Sequence, residues 1–196
     1  MPMSSFNDRQ RILVFAGPEG AGKSTVTAGF LACGFSIAGV YINTDEIKHH
    51  RGCSDIEALR EEELIRANLL KQRHDFTFET TLAAESILDF LEIAKGLGYS
   101  IESIFVLTAS AGLCSKRIRA RVLSGGYDAA RDKNNVKYNK SLQLLKRLAI
   151  LSDACLVVDN TAIPEVVYKK EHSGEVFLGN DFFSEADVRS LVTSNH

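Results

Sequence analysis

The chain has 196 residues, 45 % of them apolar, and a net charge of −2. That length suits one domain or one domain with an appendage, and the balance argues against a general affinity for nucleic acid. No run approaches the ~18 apolar residues that cross a membrane, and residues 1–11 hold no apolar signal segment, so a cytoplasmic protein with no membrane partner is expected.

The first element is the apolar run Ile12-Leu13-Val14-Phe15-Ala16, which reads as a buried strand. It is followed by Gly17-Pro18-Glu19-Gly20-Ala21-Gly22-Lys23-Ser24, a full G-x-x-x-x-G-K-[ST] motif, and from Thr25 to Leu31 the chain reads as a helix. Strand, loop and helix are the context this motif needs. Its glycines let several backbone N–H groups converge on one anion, and the helix start adds the positive end of its dipole. The segment from Gly17 to Thr25, including Pro18, Glu19 and Ala21, is therefore expected to hold a nucleoside triphosphate, ATP. Lys23 would reach the β- and γ-phosphates and Ser24 would offer its hydroxyl to Mg²⁺. The competing reading is a glycine-rich turn with a solvated lysine.

A second strand is expected over 38–42, a long helix over 55–73 capped by Ser54 or Asp55, and a third strand at Phe76-Thr77-Phe78 followed by Glu79-Thr80-Thr81. A helix over 84–97 stops at Gly98, a fourth strand covers 101–107, and a further helix covers 111–124 before Gly125-Gly126. Residues 138–151 are helical and Cys155-Leu156-Val157-Val158 is the fifth strand. Alternating strands and helices imply a parallel sheet with helices on both faces. The C-terminal part alternates around His172-Ser173-Gly174 as a hairpin, and Ser184-Glu185-Ala186-Asp187 opens a short helix.

In such a sheet, ligands sit at the carboxyl ends of the strands. The second strand ends in Asn43-Thr44-Asp45, the third in Glu79-Thr80-Thr81 and the fifth in Asp159-Asn160-Thr161. Asp45 can take the proton of an attacking hydroxyl; alternatively, Thr44 or Asp45 only caps a short helix over 46–49. Glu79 can hold substrate hydroxyls or a Mg²⁺-bound water, or pair with a lysine at the sheet edge. Asp159 superficially ends a Walker B strand, but a loop contacting the adenine, or turn chemistry through Asp159-Asn160, is the preferred reading.

Between 116 and 147 lie ten basic residues against two acids. The run brackets Gly125-Gly126, where small phosphotransferases carry a closing lid, and lid arginines neutralise charge on a transferred phosphoryl group. A nucleic-acid groove competes, but Tyr127 and Tyr138 make a weak stacking platform. Cys33, Cys53, Cys114 and Cys155 are scattered and read as reduced core thiols; the histidines lack metal-like spacing.

From about residue 12 to 161 the chain resembles the zeta toxin family of P-loop kinases. The resemblance is carried by the phosphate loop with Thr25, then Ile42-Asn43-Thr44-Asp45-Glu46-Ile47, Phe78-Glu79-Thr80-Thr81, Gly98-Tyr99, Arg121-Val122 with Gly125-Gly126, Tyr138 with Ser141, and Asp159-Asn160. It implies an α/β P-loop three-layer sandwich, a parallel sheet of about five strands with helices on both faces, to which the residue pattern adds the C-terminal β-hairpin and short helix. The kinase domain would span 1–163, with its lid at about 116–138, and 164–196 would be appended. The resemblance further implies ATP- and Mg²⁺-dependent phosphorylation of a hydroxyl on UDP-N-acetylglucosamine. Asp45 would be the base, Asp45, Glu79 and Thr80 would meet the acceptor, Arg117 or Arg121 would clamp phosphates, and Asp159 and Asn160 would flank the nucleotide. An antitoxin protein is an implied partner. Family members commonly follow Gly-Gly with His and then Val-Pro, and carry Arg before the later Tyr. This chain has Tyr127, Ala129-Ala130 and Lys137 there. Lys is not equivalent to Arg at a bidentate phosphate contact, and Arg131 is close enough in sequence to substitute. Two other functions stand beside this one: a kinase of another small metabolite, and a non-catalytic ATP-binding regulatory domain.

Overall fold

The computed structural model describes residues 9–121 and 130–193, with side chains at all of these except 121 and 130–133. Strand β1 (Arg11–Ala16) lies at the centre of a seven-stranded sheet of order β2-β3-β1-β4-β5-β6-β7. β2 (Val40–Ile42), β3 (Phe76–Thr80), β4 (Ser100–Leu107) and β5 (Ala154–Asp159) run parallel with it. Residues 12–16 are at most 1 % exposed. A strand buried on both faces reads as an unbroken apolar run, and this one does.

Alternate side chains of β1 feed opposite faces of the sheet. Ile12 and Val14 join Phe76, Phe78 and the inner faces of α3 (Asp55–Lys71), α4 (Ser86–Gly96) and α6 (Ala130–Leu151). Leu13 and Phe15 join Val26 on α1 (Lys23–Ala32) and Cys114 on α5 (Ala111–Arg121). The two clusters make the fold a three-layer α/β sandwich, as expected.

The hairpin is more than an appendage to this sheet. β6 (Glu165–Glu171) pairs antiparallel with β5, and β7 (Gly174–Phe177) with β6, so five parallel strands become seven mixed ones. Helix α7 (Glu185–Val192) opens with a Ser184–Asp187 capping box and buries Val188 and Val192. β2 starts at Val40 rather than 38 because the Thr77 hydroxyl accepts from Ala38 N and donates to Ala38 O, replacing the ladder there. Ser54 caps α3 in a capping box with Glu57. α6 begins at Ala130, eight residues before the expected start at 138. Gly125-Gly126 and Tyr127 lie outside the described residues. Of the four cysteines, all unpaired, Cys114 and Cys155 are buried but Cys33 is exposed and Cys53 half-buried, so the core reading fails for two. Among the described residues no helix is long and apolar enough to cross a membrane.

Candidate functional site

The phosphate loop leaves β1 where the sheet order switches, between β3 on one side and β4 on the other. Its shape is dictated by close approach. A Cβ on Gly17, whose φ is +139°, would stand 2.1 Å from the Val106 carbonyl oxygen. One on Gly22, at φ +92°, would stand 2.3 Å from the Asn160 amide nitrogen. Pro18 to Ala21 form a turn closed by Ala21 N–H to Pro18 O at 3.1 Å, and Gly17 N–H donates to Thr80 O at 3.2 Å. Helix α1 then starts at Lys23 with no side-chain cap and no acid in its first turn. Its first N–H groups are left to an anion.

The Lys23 ammonium donates to the carbonyls of Gly17 at 2.9 Å and Pro18 at 3.3 Å. Burial pushes its pKa down, opposed by the carboxylates of Glu79, Glu19 and Asp45 in that order. Ser24 is exposed, with Oγ 3.5 Å from Glu79 Oε2, while Tyr41 on β2 donates to Glu79 Oε1 at 2.5 Å. Burial and that bond push the tyrosine's pKa far up. Glu79 and Thr80 lie inside β3, not after it. Among the described residues Glu79 is hydrogen-bonded to Tyr41 and Ser24, not paired with a lysine as in the alternative reading. Ser24 Oγ and Glu79 Oε2 together fit a Mg²⁺ ion, which keeps several waters and takes few protein oxygens. Among the described residues there is no group of three or more His, Cys, Asp or Glu placed to hold a metal, so phosphate oxygens and water would complete the shell.

Asp45 is exposed in the first turn of α2 (Thr44–Arg51). The cap is neither Thr44 nor Asp45. Asn43 Oδ1 accepts from Asp45 N at 2.8 Å and Glu46 N at 3.4 Å, leaving the Asp45 carboxylate unspent by capping. The Asn before the turn was the overlooked signal. Thr44 Oγ1 donates to Glu62 Oε2 at 3.0 Å, and Glu62 is ion-paired to Arg66, both 3 % exposed. The Arg66 guanidinium lies 4.9 Å from the ring centroids of both Phe78 and Phe90. Thr80 differs from its expected role as an acceptor contact in one respect: its hydroxyl accepts from Leu82 N at 3.1 Å and shapes the turn after β3.

On the far side of the loop, Asn160 Nδ2 donates to Ala21 O at 2.7 Å. Arg117 Nη1 reaches the same carbonyl at 3.4 Å and its Nη2 reaches Thr161 O at 3.2 Å. Asp159, 1 % exposed, accepts from Thr161 N and Oγ1 and from Asn180 Nδ2. Asp159 and Asn160 thus brace the loop's outer edge, and β5 is separated from β1 by β4, which removes the Walker B reading. Behind the loop, buried Tyr138 donates to Thr108 O, and Cys114 Sγ lies 3.2 Å from Thr108 Oγ1. Lys137 is exposed on α6. Arg121 ends α5 and Arg131 lies in the first turn of α6, with side chains outside the described residues. Tyr41 and Asn180 carry no local signal, because their partners are distant in the chain.

No family model matches the chain. An uncharacterised protein of Haemophilus influenzae is 26 % identical over 135 residues, covering 66 % of this chain and 94 % of that one. Among solved structures, a chain of the PezAT chromosomal toxin–antitoxin system of Streptococcus pneumoniae is similar at a TM-score of 0.59 and 15 % identity, covering 97 % of this chain and 81 % of that one. A chain of the AvrRxo1-ORF1:-ORF2 complex with ATP is similar at 0.62 and 12 %, covering 95 % and 64 %. At these identities the likeness shows the fold alone.

Proposed function

We propose that this protein is an ATP-dependent small-molecule kinase that transfers the γ-phosphoryl group to a hydroxyl, most specifically one on UDP-N-acetylglucosamine or a related nucleotide sugar. The observation that carries the reading is the Gly17–Ser24 loop running from β1 into the uncapped start of α1, with Ser24 Oγ 3.5 Å from Glu79 Oε2 on the neighbouring strand β3. ATP phosphates fit the uncapped start of α1 and the Gly17–Gly22 loop. Mg²⁺ would be held by Ser24 with Glu79 beside it, and when bound would neutralise charge between β- and γ-phosphates. Asp45 takes the acceptor's proton as its oxygen bonds the γ-phosphorus and the bond to the β-phosphate oxygen breaks, leaving ADP. Glu79 and Thr80 line the acceptor side. Arg121, Arg131 and Lys137 belong to a lid at about 116–138 within a kinase domain of 1–163, and 164–196 completes the sheet edge. The similar structures come from complexes described as a toxin–antitoxin system and an ORF1:ORF2 pair, which supports an antitoxin-like protein partner.

Mass spectrometry after incubation with ATP·Mg²⁺ and a pool of nucleotide sugars tests the reading. One added phosphate on UDP-N-acetylglucosamine is expected. Phosphorylation of another metabolite alone moves the acceptor, and ATP binding without any product leaves a regulatory domain. Asp45→Asn is expected to lower kcat by ~10²–10⁴-fold with ATP affinity almost unchanged; equal losses in both would assign Asp45 to metal or structure.

A further inference from the structure

The C-terminal segment is joined to the phosphate loop by an unbroken chain of hydrogen bonds. Asn180 follows β7. Its Oδ1 accepts from the backbone N–H groups of Phe182 at 3.0 Å and Phe183 at 2.9 Å. Those two donors fix the amide's orientation, so Nδ2 is the atom that faces Asp159 Oδ2, at 2.8 Å. Asp159's other oxygen accepts from Thr161 N at 2.9 Å and Thr161 Oγ1 at 2.5 Å. Thr161 Oγ1 in turn accepts from Ala109 N at 2.8 Å, tying in the loop after β4. The Thr161 carbonyl holds Arg117, and Arg117 and Asn160 together hold the carbonyl of Ala21 in the phosphate loop.

Asp159 is nearly inaccessible and accepts hydrogen bonds from Thr161 and Asn180. A buried carboxylate depends on its hydrogen-bond donors. Two come from Thr161. The third is Asn180, which lies 21 residues away on the C-terminal side of the hairpin. Removing it leaves Oδ2 unpaired, and the local remedy is for the 159–161 turn to rotate toward water. That rotation would carry Asn160 and Thr161 away from Ala21 and Arg117.

We propose that Asn180 is a positioning residue for nucleotide binding: through Asp159 and Thr161 it sets Asn160 and Arg117 against Ala21, and so shapes the outer edge of the phosphate loop. The inference rests on the loop being an ATP site. It gives the C-terminal segment a task in the reaction besides closing the sheet edge.

Titration of ATP·Mg²⁺ into the full chain, followed by calorimetry, tests it. Asn180→Ala should weaken ATP about tenfold, the order expected for one hydrogen bond to a buried charge. KM for ATP should rise by a similar factor while kcat changes by less than about twofold, because the bond shapes ground-state binding. Asp159→Asn combined with Asn180→Asp exchanges acceptor and donor across the same contact and should recover the affinity. Val188→Ala, in α7, removes none of these hydrogen bonds but lowers stability by cavity formation, and should leave ATP affinity as in wild type.

Equal weakening in Asn180→Ala and Val188→Ala would overturn the proposal, as would wild-type affinity in a folded Asn180→Ala. Hydrogen exchange on the wild-type protein supplies a measurement that no folding defect can obscure. By linkage, ATP should slow exchange at the Phe182 and Phe183 amides that Asn180 holds, and no slowing there would overturn it too. A wild-type protein that binds no ATP would remove the proposed function itself, whereas ATP binding with no coupling to Asn180 removes only this inference.

Discussion

Glu79 is shared between two hydroxyls: Tyr41 donates to its Oε1 at 2.5 Å, and Ser24 stands 3.5 Å from its Oε2. The strand order makes this pairing. β3 lies between β2, which carries Tyr41, and β1, which leads into the loop with Ser24. Tyr41 therefore holds one oxygen of Glu79 and turns the other toward the proposed metal position. Tyr41→Phe keeps the ring and removes the donor. Hydrogen bonds to charged groups contribute about 1.5–3 kcal/mol, so a fall in kcat of roughly 10- to 100-fold is expected at fixed Mg²⁺. The apparent Mg²⁺ requirement should rise in the same variant. Titrating Mg²⁺ at saturating ATP checks this; an unchanged Mg²⁺ midpoint would separate Tyr41 from the metal.

Lys23 gives a pH-dependent prediction. Burial lowers its pKa in the folded state, so the unfolded chain binds more protons in the window between that lowered value and the ordinary lysine pKa. Stability from this group therefore rises with pH across that window. Below it the charged lysine is a folding penalty. Lys23→Met should melt above wild type at pH 7, and the gap should shrink as pH climbs toward the ordinary lysine pKa. The same variant should lose transfer entirely. Melting curves at several pH values, beside an activity assay, test both halves; a Lys23→Met protein less stable at every pH would show that the bonds to Gly17 and Pro18 outweigh burial.

Much of this site was legible in the sequence because the phosphate loop encodes its own geometry within eight residues. Spacing alone gave the strand before it, the helix after it and the acids that end β2 and β3. What spacing does not encode is strand order. That β3, and not β5, lies beside β1 decides that Glu79 faces Ser24 and that Asp159 turns away to Thr161 and Asn180. The Asn160–Ala21 bond spans 139 residues, and no local pattern announces it. At Asn43 the signal is local: Asn is among the strongest capping residues, and a cap there frees Asp45. The hairpin itself is legible, but its antiparallel register on β5, which shifts between Val157 and Val158, and its packing against α7 are tertiary.

The pair Glu62–Arg66 makes a stability prediction. Arg66 Nε lies 3.1 Å from Glu62 Oε1, yet the two lack the alignment of a hydrogen bond. Burial raises the glutamate's pKa and lowers the arginine's. Arg66 also stacks on Phe78 and Phe90, and Glu62 anchors Thr44 beside Asp45. Arg66→Met leaves a buried glutamate without its counter-ion, and removing one partner of such a pair costs about 3–5 kcal/mol. Replacing both, as Glu62→Leu with Arg66→Met, should recover most of that stability, but activity should stay low because Thr44 has lost its anchor. Denaturant unfolding of the single and double variants decides it; a double variant no more stable than Arg66→Met would show that the aromatic stacking, not the charge pairing, dominates.

The last prediction concerns Lys137. It is exposed and follows, by a few residues on α6, the side chains that the lid reading assigns to phosphate contact. Its neighbour Tyr138 is buried and bonded to Thr108 O at the carboxyl end of β4, which anchors this stretch of α6 beside the phosphate loop. A guanidinium grips two phosphate oxygens at once, whereas an ammonium is a compact point charge. If Lys137 clamps a phosphate, Lys137→Arg should raise kcat several-fold with little change in ATP affinity, since the added bond strengthens as charge develops. Arg121→Lys should lower kcat. An unchanged kcat in Lys137→Arg beside a strong loss in Arg131→Ala would hand the role to Arg131. No effect from any of the three, measured by steady-state kinetics on a single acceptor, would take this basic segment out of the chemistry and leave Lys23, Ser24 and the α1 start to stabilise the transferring group.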